Sequence, residues 1–283
     1  MFCSRRNGRG DADSSTAARP LLPGSIICFG VRGIYRVNLE TGSCQKVKTG
    51  NWGCIRSAIR DPEQDAVFAF GSMGLYKVCK DGSHTKLQSG NWNSASDDAP
   101  RTQTACYLGY GRAIYIGARH MYSLNLREGT YKHLGHRGHW VGCNCAVYAT
   151  DGFAYAFGSA GVYKIEVNDG THEKLCGGFW SAVDCAAQIS LDIILCFGGS
   201  GIYHLNIENG SNTKIASGAW GGMHCIIADS QKNVVFAFGN KGIYKVNAMD
   251  GSYDKVLGGI WGAVHGATYD PVPIELGSFQ SDS

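Results

Sequence analysis

Residues 238–261 read FGNKGIYKVNAMDGSYDKVLGGIW, and this pattern occurs five more times along the chain. Four copies match it closely: FGVRGIYRVNLETGSCQKVKTGNW (29–52), FGSMGLYKVCKDGSHTKLQSGNW (70–92), FGSAGVYKIEVNDGTHEKLCGGFW (157–180) and FGGSGIYHLNIENGSNTKIASGAW (197–220). The fifth, IGARHMYSLNLREGTYKHLGHRGHW (116–140), is more divergent. Every copy ends on tryptophan, so all six tryptophans of the protein occupy one repeat position. The chain is therefore a tandem array of six related units.

Each unit offers four short segments in which apolar and polar residues alternate, as they do in half-buried strands. A Gly-x-x-Gly link joins the second segment to the third, and an Asp-Gly, Thr-Gly or Asn-Gly link joins the third to the fourth. Both links are typical of tight antiparallel hairpins. In the second unit the predicted strands are 55–60, 66–70, 75–79 and 84–88. Four antiparallel strands per unit of about 40 residues predict an all-β fold, a six-bladed β-propeller.

The two ends of the array predict how the ring closes. The chain enters the array at a second strand, Ser25–Gly30, and leaves it after a first strand within 262–270. If these two pair, the C-terminal strand completes the N-terminal blade, which removes the exposed edges that an open array would leave. We therefore expect a single propeller over residues 25–270, with a disordered leader at 1–24 and a tail at 271–283.

Composition narrows the classes of partner. The net charge is +3 with no block of like charges, so neither a nucleic-acid partner nor an anionic membrane surface is expected. No stretch is long and apolar enough to span a membrane, and residues 1–24 lack the apolar core of a signal peptide. Most of the 12 cysteines replace small or apolar residues of other copies, which indicates buried free thiols in a reducing, cytoplasmic compartment. We expect a soluble monomer without a cofactor.

The repeat also resembles known propeller proteins. GIYRVNLETGSCQKV (33–47) and GIYKVNAMDGSYDKV (242–256) are similar to the repeat of β-propellers that reads Leu-Tyr-x-Val-Asn-x-x-Thr-Gly-x-x-x-Lys-Leu. The Gly-x-Trp that ends each copy resembles that of tectonin-like and tachylectin-like propeller lectins. This resemblance covers nearly the whole chain, and its lectin part implies that the protein binds a sugar.

The tryptophan column has two interpretations. Aromatic rings repeated around a ring of blades could stack on sugars or other flat ligands. Alternatively, each ring could be wedged between neighbouring blades and bury a large apolar surface, which we favour because every blade must solve the same packing problem. The candidate ligand-binding tryptophans are Trp52, Trp92, Trp140, Trp180, Trp220 and Trp261.

A second column of candidates follows each tryptophan by four residues. Its members are polar but differ from copy to copy: Arg56, Gln103 (in the unit with an insertion), Asn144, Asp184, His224 and His265. Alanine stands two residues further in five units, on the same face of the strand. Because the strand after the inter-blade loop is innermost in propellers, this face is expected to line the central channel. We call these six residues the axial ring and expect them near one mouth of the channel.

The axial ring could be a site or a solvated lining. Asp184, His224 and His265 could act as acid and base or hold a metal, as in an enzyme of hydrolase, lyase or cyclotransferase type. A water-filled channel lined by tolerant polar groups is the alternative that we favour slightly. The ring offers a single carboxylate, fewer than the acidic ligands that six-bladed lactonases keep on their axis. No nucleophile motif or phosphate-binding loop occurs in the sequence.

The divergent unit contains a third candidate, the run His133, His136, His139 and Cys143. Imidazoles and a thiol this close could bind zinc or copper. A solvated loop is the better interpretation, because His133 takes the place of a lysine found in the other five units and the spacing matches no established zinc motif. His120 replaces a hairpin glycine, which predicts some backbone strain.

Taken together, these patterns favour a non-catalytic scaffold. It would recognise a partner protein or a carbohydrate through the tryptophan loops, the insertion at 94–104 and the channel mouth. A propeller enzyme that uses the axial ring is the alternative.

Overall fold

The computed structural model describes residues 25–39, 41–52, 55–90, 92, 103–117, 120–134, 143, 145–178, 180, 182–220, 222–229, 233–258 and 266–269. Every regular element within these ranges is a β-strand. The strands are β1 (Ser25–Gly30), β2 (Gly33–Asn38), β3 (Cys44–Thr49), β4 (Ile55–Asp61), β5 (Ala66–Gly71), β6 (Gly74–Cys79), β7 (His84–Gln88), β8 (Gln103–Gly109), β9 (Arg112–Gly117), β10 (Met121–Asn125), β11 (Thr130–His133), β12 (Cys145–Tyr148), β13 (Phe153–Gly158), β14 (Gly161–Glu166), β15 (His172–Cys176), β16 (Val183–Gln188), β17 (Ile193–Gly198), β18 (Gly201–Asn206), β19 (Asn212–Ser217), β20 (Met223–Asp229), β21 (Val234–Gly239), β22 (Gly242–Asn247), β23 (Tyr253–Gly258) and β24 (Gly266–Tyr269). No helix in this part of the chain is long and apolar enough to cross a membrane.

The strands form six antiparallel sheets of four, which confirms the predicted six-bladed β-propeller. Blades two to six are the consecutive sets β4–β7, β8–β11, β12–β15, β16–β19 and β20–β23. In blade two the observed strands agree with the predicted ones to within a residue at either end. The first strand of each set contacts the first strand of the next blade around the whole ring, so it is the innermost strand, as expected.

Blade one closes the ring. Its strand order is β24-β1-β2-β3, so the last described strand of the chain completes the first sheet. The antiparallel register runs from Ile26 opposite Tyr269 to Phe29 opposite Gly266. β24 also contacts the innermost strands β4 and β20 on its two sides. The predicted closure is therefore confirmed, and the described strand lies within the predicted range 262–270.

The hydrophobic core is divided among the interfaces between blades. Second strands such as β5 (AVFAFG) are buried along their whole length, because each of their faces packs against a neighbouring blade. Fourth strands such as β7 are mostly exposed. Six apolar clusters result, one at each interface. The cluster that joins Ile26 and Val37 of blade one to Phe236 and Phe238 of blade six seals the ring.

Glycines in the turn between third and fourth strands fix the spacing of the blades. They have positive φ, and each turn lies against the outermost strand of the preceding blade. A Cβ atom on Gly82 would lie 2.9 Å from Cγ1 of Val47, and one on Gly251 would lie 2.6 Å from Cβ of Ala216. Gly42 approaches Val256 of blade six in the same way, so the contact continues across the closure. The sequence predicted a turn here but not this inter-blade contact.

Replacement of Gly251 by alanine should therefore destabilise the protein for two reasons. A non-glycine residue in the left-handed region costs about 1–2 kcal/mol, and overpacking against Ala216 adds about 1–3 kcal/mol. The matched control is Gly152→Ala, since Gly152 also has positive φ but a Cβ there meets nothing within 4 Å. Urea unfolding should show a larger loss of stability for Gly251→Ala than for Gly152→Ala. Equal losses would mean that the inter-blade contact contributes nothing.

Candidate functional site

The axial ring lies at the start of the innermost strands. Asp184 and His224 are each the second residue of their strand, and both are half-buried. Arg56 and Gln103 belong to β4 and β8, at the predicted end of the strand. Asn144 and His265 lie outside the described residues, as do the side chains of Arg56 and Gln103. The role of the axial ring as a ligand site stays a prediction.

A β-bulge occurs at the axial position in three blades. The pairing register shifts between Val183 and Cys185, which leaves Asp184 as the extra residue of its strand. The same shift makes His224 and Arg56 the extra residues of β20 and β4. A bulge bends the strand and redirects the side chain of the inserted residue, and bulges are common beside functional sites. The bulge cannot be predicted from the alternation of apolar and polar residues. Val183 and Cys185, which flank Asp184, are both buried, as they would be in a regular strand.

Asp184 reaches from blade five to the tryptophan loop of blade six. Its Oδ2 atom accepts a hydrogen bond of 3.0 Å from the backbone N–H of Gly222. Gly222 follows Trp220 by two residues and has a φ of +107°, a conformation that favours glycine. A charge-assisted hydrogen bond to a backbone amide holds the loop in this shape. Asp184 is the only carboxylate in the predicted axial ring, and one of its two oxygens is therefore used to hold this loop.

Beyond the axial ring the innermost strands keep the predicted alternation of burial. Half-buried alanines that pack against the inter-blade clusters occupy one face, namely Ala58, Ala105, Ala146 and Ala186, whereas Cys145 and Cys185 of the opposite face are buried. The lining of the channel by the alanine face stays a prediction. Burial raises the pKa of both thiols well above the ordinary value. Each thiol therefore stays neutral and unreactive, a behaviour typical of core cysteines.

The residues on the opposite face also link neighbouring innermost strands, which the sequence did not reveal. The Ser57 hydroxyl accepts a hydrogen bond of 3.0 Å from the backbone N–H of Ala105 in the next blade. The Cys185 thiol lies 3.6 Å from the backbone oxygen of Met223, again in the next blade, and donates to it. Ser57 and Cys185 both contact backbone atoms of the next blade. A short side chain with one polar atom is therefore suited to this column. This column therefore ties blade to blade.

A second polar layer, missed from the sequence, lies at the opposite end of the channel-facing column. The Tyr107 hydroxyl donates a 2.8 Å hydrogen bond to Oδ1 of Asp61, which is fully buried. Burial, followed by the bond to Asp61, raises the pKa of Tyr107 to about 12. Gln188 donates to the hydroxyl of Thr150 at 3.1 Å and so joins blade five to blade four. Continuing the alternation two residues beyond the alanines would have found Tyr107 and Gln188, but not Asp61, which lies two residues beyond Ile59 on the opposite face.

The described tryptophans are wedged between blades. Trp52, Trp92, Trp180 and Trp220 are only 6–9% exposed. The ring of Trp220 lies 5.5 Å from that of Phe197 in blade five and 4.9 Å from that of Tyr253 in blade six. This is the geometry of the packing interpretation, with tilted and edge-to-face contacts that stabilise aromatic pairs. Trp140 and Trp261 lie outside the described residues, and ligand binding by any of the six stays a prediction.

The described members of the divergent run point in different directions. His133 is exposed at the end of β11, with Nε2 at 2.8 Å from Nδ1 of His120. Cys143 is 3% exposed in the core between blades three and four, where burial raises its pKa to about 12. His136 and His139 lie outside the described residues. Among the residues that the structure describes, no group of three or more His, Cys, Asp or Glu side chains could hold a metal ion.

The sheets, their closure and the inter-blade clusters define this chain as a six-bladed β-propeller. A chain of the nidogen/laminin complex has a similar fold, with a TM-score of 0.67, 9% sequence identity and coverage of 86% of this chain and 97% of that one. A protein of unknown function from Bacteroides caccae matches with a TM-score of 0.59, 13% identity and coverage of 87% and 98%. No protein-family model matches the sequence, and no curated protein matches it either. At these identities the likeness concerns the fold alone, since propellers serve many functions.

Proposed function

We propose that this propeller is a non-catalytic scaffold that binds a partner protein through its top face, the end that carries the Gly-x-x-Gly hairpins and the tryptophan loops. The two features lie at the same end, because the backbone N–H of Trp52 donates to the backbone oxygen of Gly30 at the hairpin. Trp92 and Gly71 make the same bond in the next blade.

The observation that carries the proposal is an exposed apolar pair on this face. Val31 is the first and Met73 the second of the two residues between the hairpin glycines of blades one and two, and they are 54% and 62% exposed. The remaining described hairpins have small or polar residues there, such as Ser159 and Asn240. Exposed apolar side chains on two adjacent blades, beside small or polar residues in the remaining described hairpins, favour a protein partner, and methionine adapts well to such surfaces.

The polar groups described along the channel support a scaffold rather than an enzyme. Asp184, Ser57, Tyr107 and Gln188 each make a hydrogen bond that joins one blade to the next. Groups held this way stabilise the ring and have less freedom to exchange protons with a substrate. The enzyme alternative, with Asp184, His224 and His265 as acid and base, stays a prediction. Carbohydrate binding by the tryptophan loops stays one as well.

The test compares two charge substitutions on opposite faces. Affinity capture from cell extract, quantified by mass spectrometry, would use the wild type, the double variant V31D/M73D and the control L191D. Leu191 is 80% exposed in a hairpin at the other end of the blades, so it controls for the loss of any apolar surface residue. We expect a partner that the wild type and L191D retain but V31D/M73D loses.

A glycan array with the same three proteins separates the two classes of ligand. Retention of every captured protein by V31D/M73D would contradict the proposal. Specific glycan binding that is equal in all three proteins would favour a lectin instead. Turnover of a substrate that D184N or H224Q abolishes would favour the enzyme.

A further inference from the structure

A pair of histidines lies at the outer edge of blade three, where His120 takes the place of the second hairpin glycine. Nε2 of His133 and Nδ1 of His120 are 2.8 Å apart. His133 is the exposed last residue of β11, and His120 is half-buried directly before β10. The two imidazoles thus belong to adjacent strands of one hairpin and are within reach of solvent.

The pair replaces a different pair in every other blade. There the equivalents of His120 are glycines and those of His133 are lysines: Gly33 with Lys46, Gly74 with Lys86, Gly161 with Lys174, Gly201 with Lys214 and Gly242 with Lys255. The glycine is required by the facing backbone, since a Cβ on Gly74 would lie 2.3 Å from the backbone oxygen of Gln88, and the stem of Lys86 also crosses it, with Cε at 2.6 Å from that Cβ. Blade three has changed both members of the pair together.

The backbone of blade three accommodates the change. The five glycines have φ between +141° and +156°, a conformation that favours glycine, and the backbone strain expected for His120 stays a prediction. The outer hairpins of the other five blades have a longer last strand and contain a bulge, but β10 pairs with the four-residue β11 without a register shift. A straight, short outer strand leaves room for two rings where the other blades have one lysine stem.

We infer that His120 and His133 form a binding site for a divalent transition-metal ion of the Ni²⁺ or Cu²⁺ type. With metal–nitrogen bonds of about 2.0–2.1 Å, two nitrogens 2.8 Å apart subtend an angle of roughly 85–90° at a shared ion. That angle suits adjacent positions of a square-planar or octahedral ion, whereas a tetrahedral zinc ion needs nitrogens about 3.3 Å apart. The 2.8 Å separation therefore selects the geometry of the ion.

The surroundings hold both rings in place before an ion arrives. The ring of Tyr122 lies 5.5 Å from that of His133 and 6.2 Å from that of His120, with edge-to-face angles of 71° and 61°. Without metal, one imidazole N–H is shared between the two facing nitrogens. Binding requires that proton to move to the other nitrogen of its own ring, which turns both facing nitrogens into ligands with no net proton release. Water from solvent would fill the remaining positions of the ion.

The experiment titrates Ni²⁺ into the full-length protein by calorimetry. The principal variant is H120G/H133K, which installs the glycine and lysine of the other five blades and so should fold. We expect it to bind Ni²⁺ about a hundredfold more weakly than the wild type, because two ligands on one hairpin act as a chelate. The control is H84Q. His84 is also on an outer strand, but its imidazole packs on Trp52 and not on a second histidine, so H84Q should bind Ni²⁺ like the wild type.

A second measurement needs no variant. In NMR spectra of the wild type, paramagnetic Ni²⁺ at substoichiometric amounts should broaden the signals of Tyr122 and His133 before those of His172 or His204. Unchanged affinity and stoichiometry in H120G/H133K would overturn the proposal. So would broadening centred on another histidine.

Discussion

Truncation of the chain after residue 265 is expected to lower the melting temperature by about 10 °C or more and to cause self-association. The truncation removes β24, which pairs with β1 and contacts the innermost strands on both sides. Ile26 and Phe29, now fully buried in β1, would lose part of their cover. Exposing two such side chains costs about 3–6 kcal/mol, a large share of the roughly 5–15 kcal/mol that stabilises a domain.

Self-association follows from the edge that the truncation creates. β1 would present unpaired backbone N–H and C=O groups together with apolar side chains, and such an edge pairs readily with another chain. Size-exclusion chromatography should show species larger than the monomer or the parent assembly, and calorimetry should show a lower, broader transition.

Truncation after residue 270 is the matched control. It removes the predicted tail 271–283 but keeps β24, so the melting temperature and the elution volume should equal those of the full chain. A protein truncated after residue 265 that melts like this control would show that the ring does not depend on β24. A control that melts early would place part of the folded domain beyond residue 270 and correct the predicted boundary.

The sequence specified the fold because each repeat contains its own turn chemistry. The Gly-x-x-Gly hairpin and the Asn-Gly or Asp-Gly turn fix where strands end, so the bounds of β4 to β7 could be predicted to within a residue. Ring closure could be predicted as well, since only a strand from the C-terminal end can complete a blade that begins at Ser25. Turn residues and strand alternation are enough to predict those contacts that join neighbouring strands of the repeat.

The candidate site was less predictable because its decisive contacts join distant residues. The bulge at Asp184 leaves the apolar alternation intact, and the bond from Asp184 to Gly222 crosses from one blade to the next. Neither leaves a mark in a single sequence. The pair of His120 and His133, by contrast, could have been found, because His133 pairs with Tyr122, two residues after His120, and the two columns are therefore close on one hairpin. The sequence could not show that their nitrogens lie 2.8 Å apart.

The largest effect of a single substitution is expected for Trp220→Ala, which should destabilise the protein by about 3–5 kcal/mol. Trp220 is 6% exposed, and its ring contacts Phe197, Tyr244 and Tyr253 at centroid distances of 5.5, 6.0 and 4.9 Å. These rings belong to blades five and six, so alanine would open a cavity at the interface between them. Urea unfolding followed by tyrosine and tryptophan fluorescence measures the loss.

This variant also separates the two interpretations of the tryptophan column. A ring that serves mainly as a ligand platform would be exposed, and its removal would change stability by no more than about 0.5 kcal/mol, as for an ordinary surface substitution. Leu191→Ala supplies that reference, because Leu191 is among the most exposed apolar residues described. Trp220→Phe keeps an aromatic ring at the interface and should recover most of the stability. If Trp220→Ala matched Leu191→Ala, the tryptophans would not be the wedges that hold the blades together, and their repetition around the ring would have to serve a ligand.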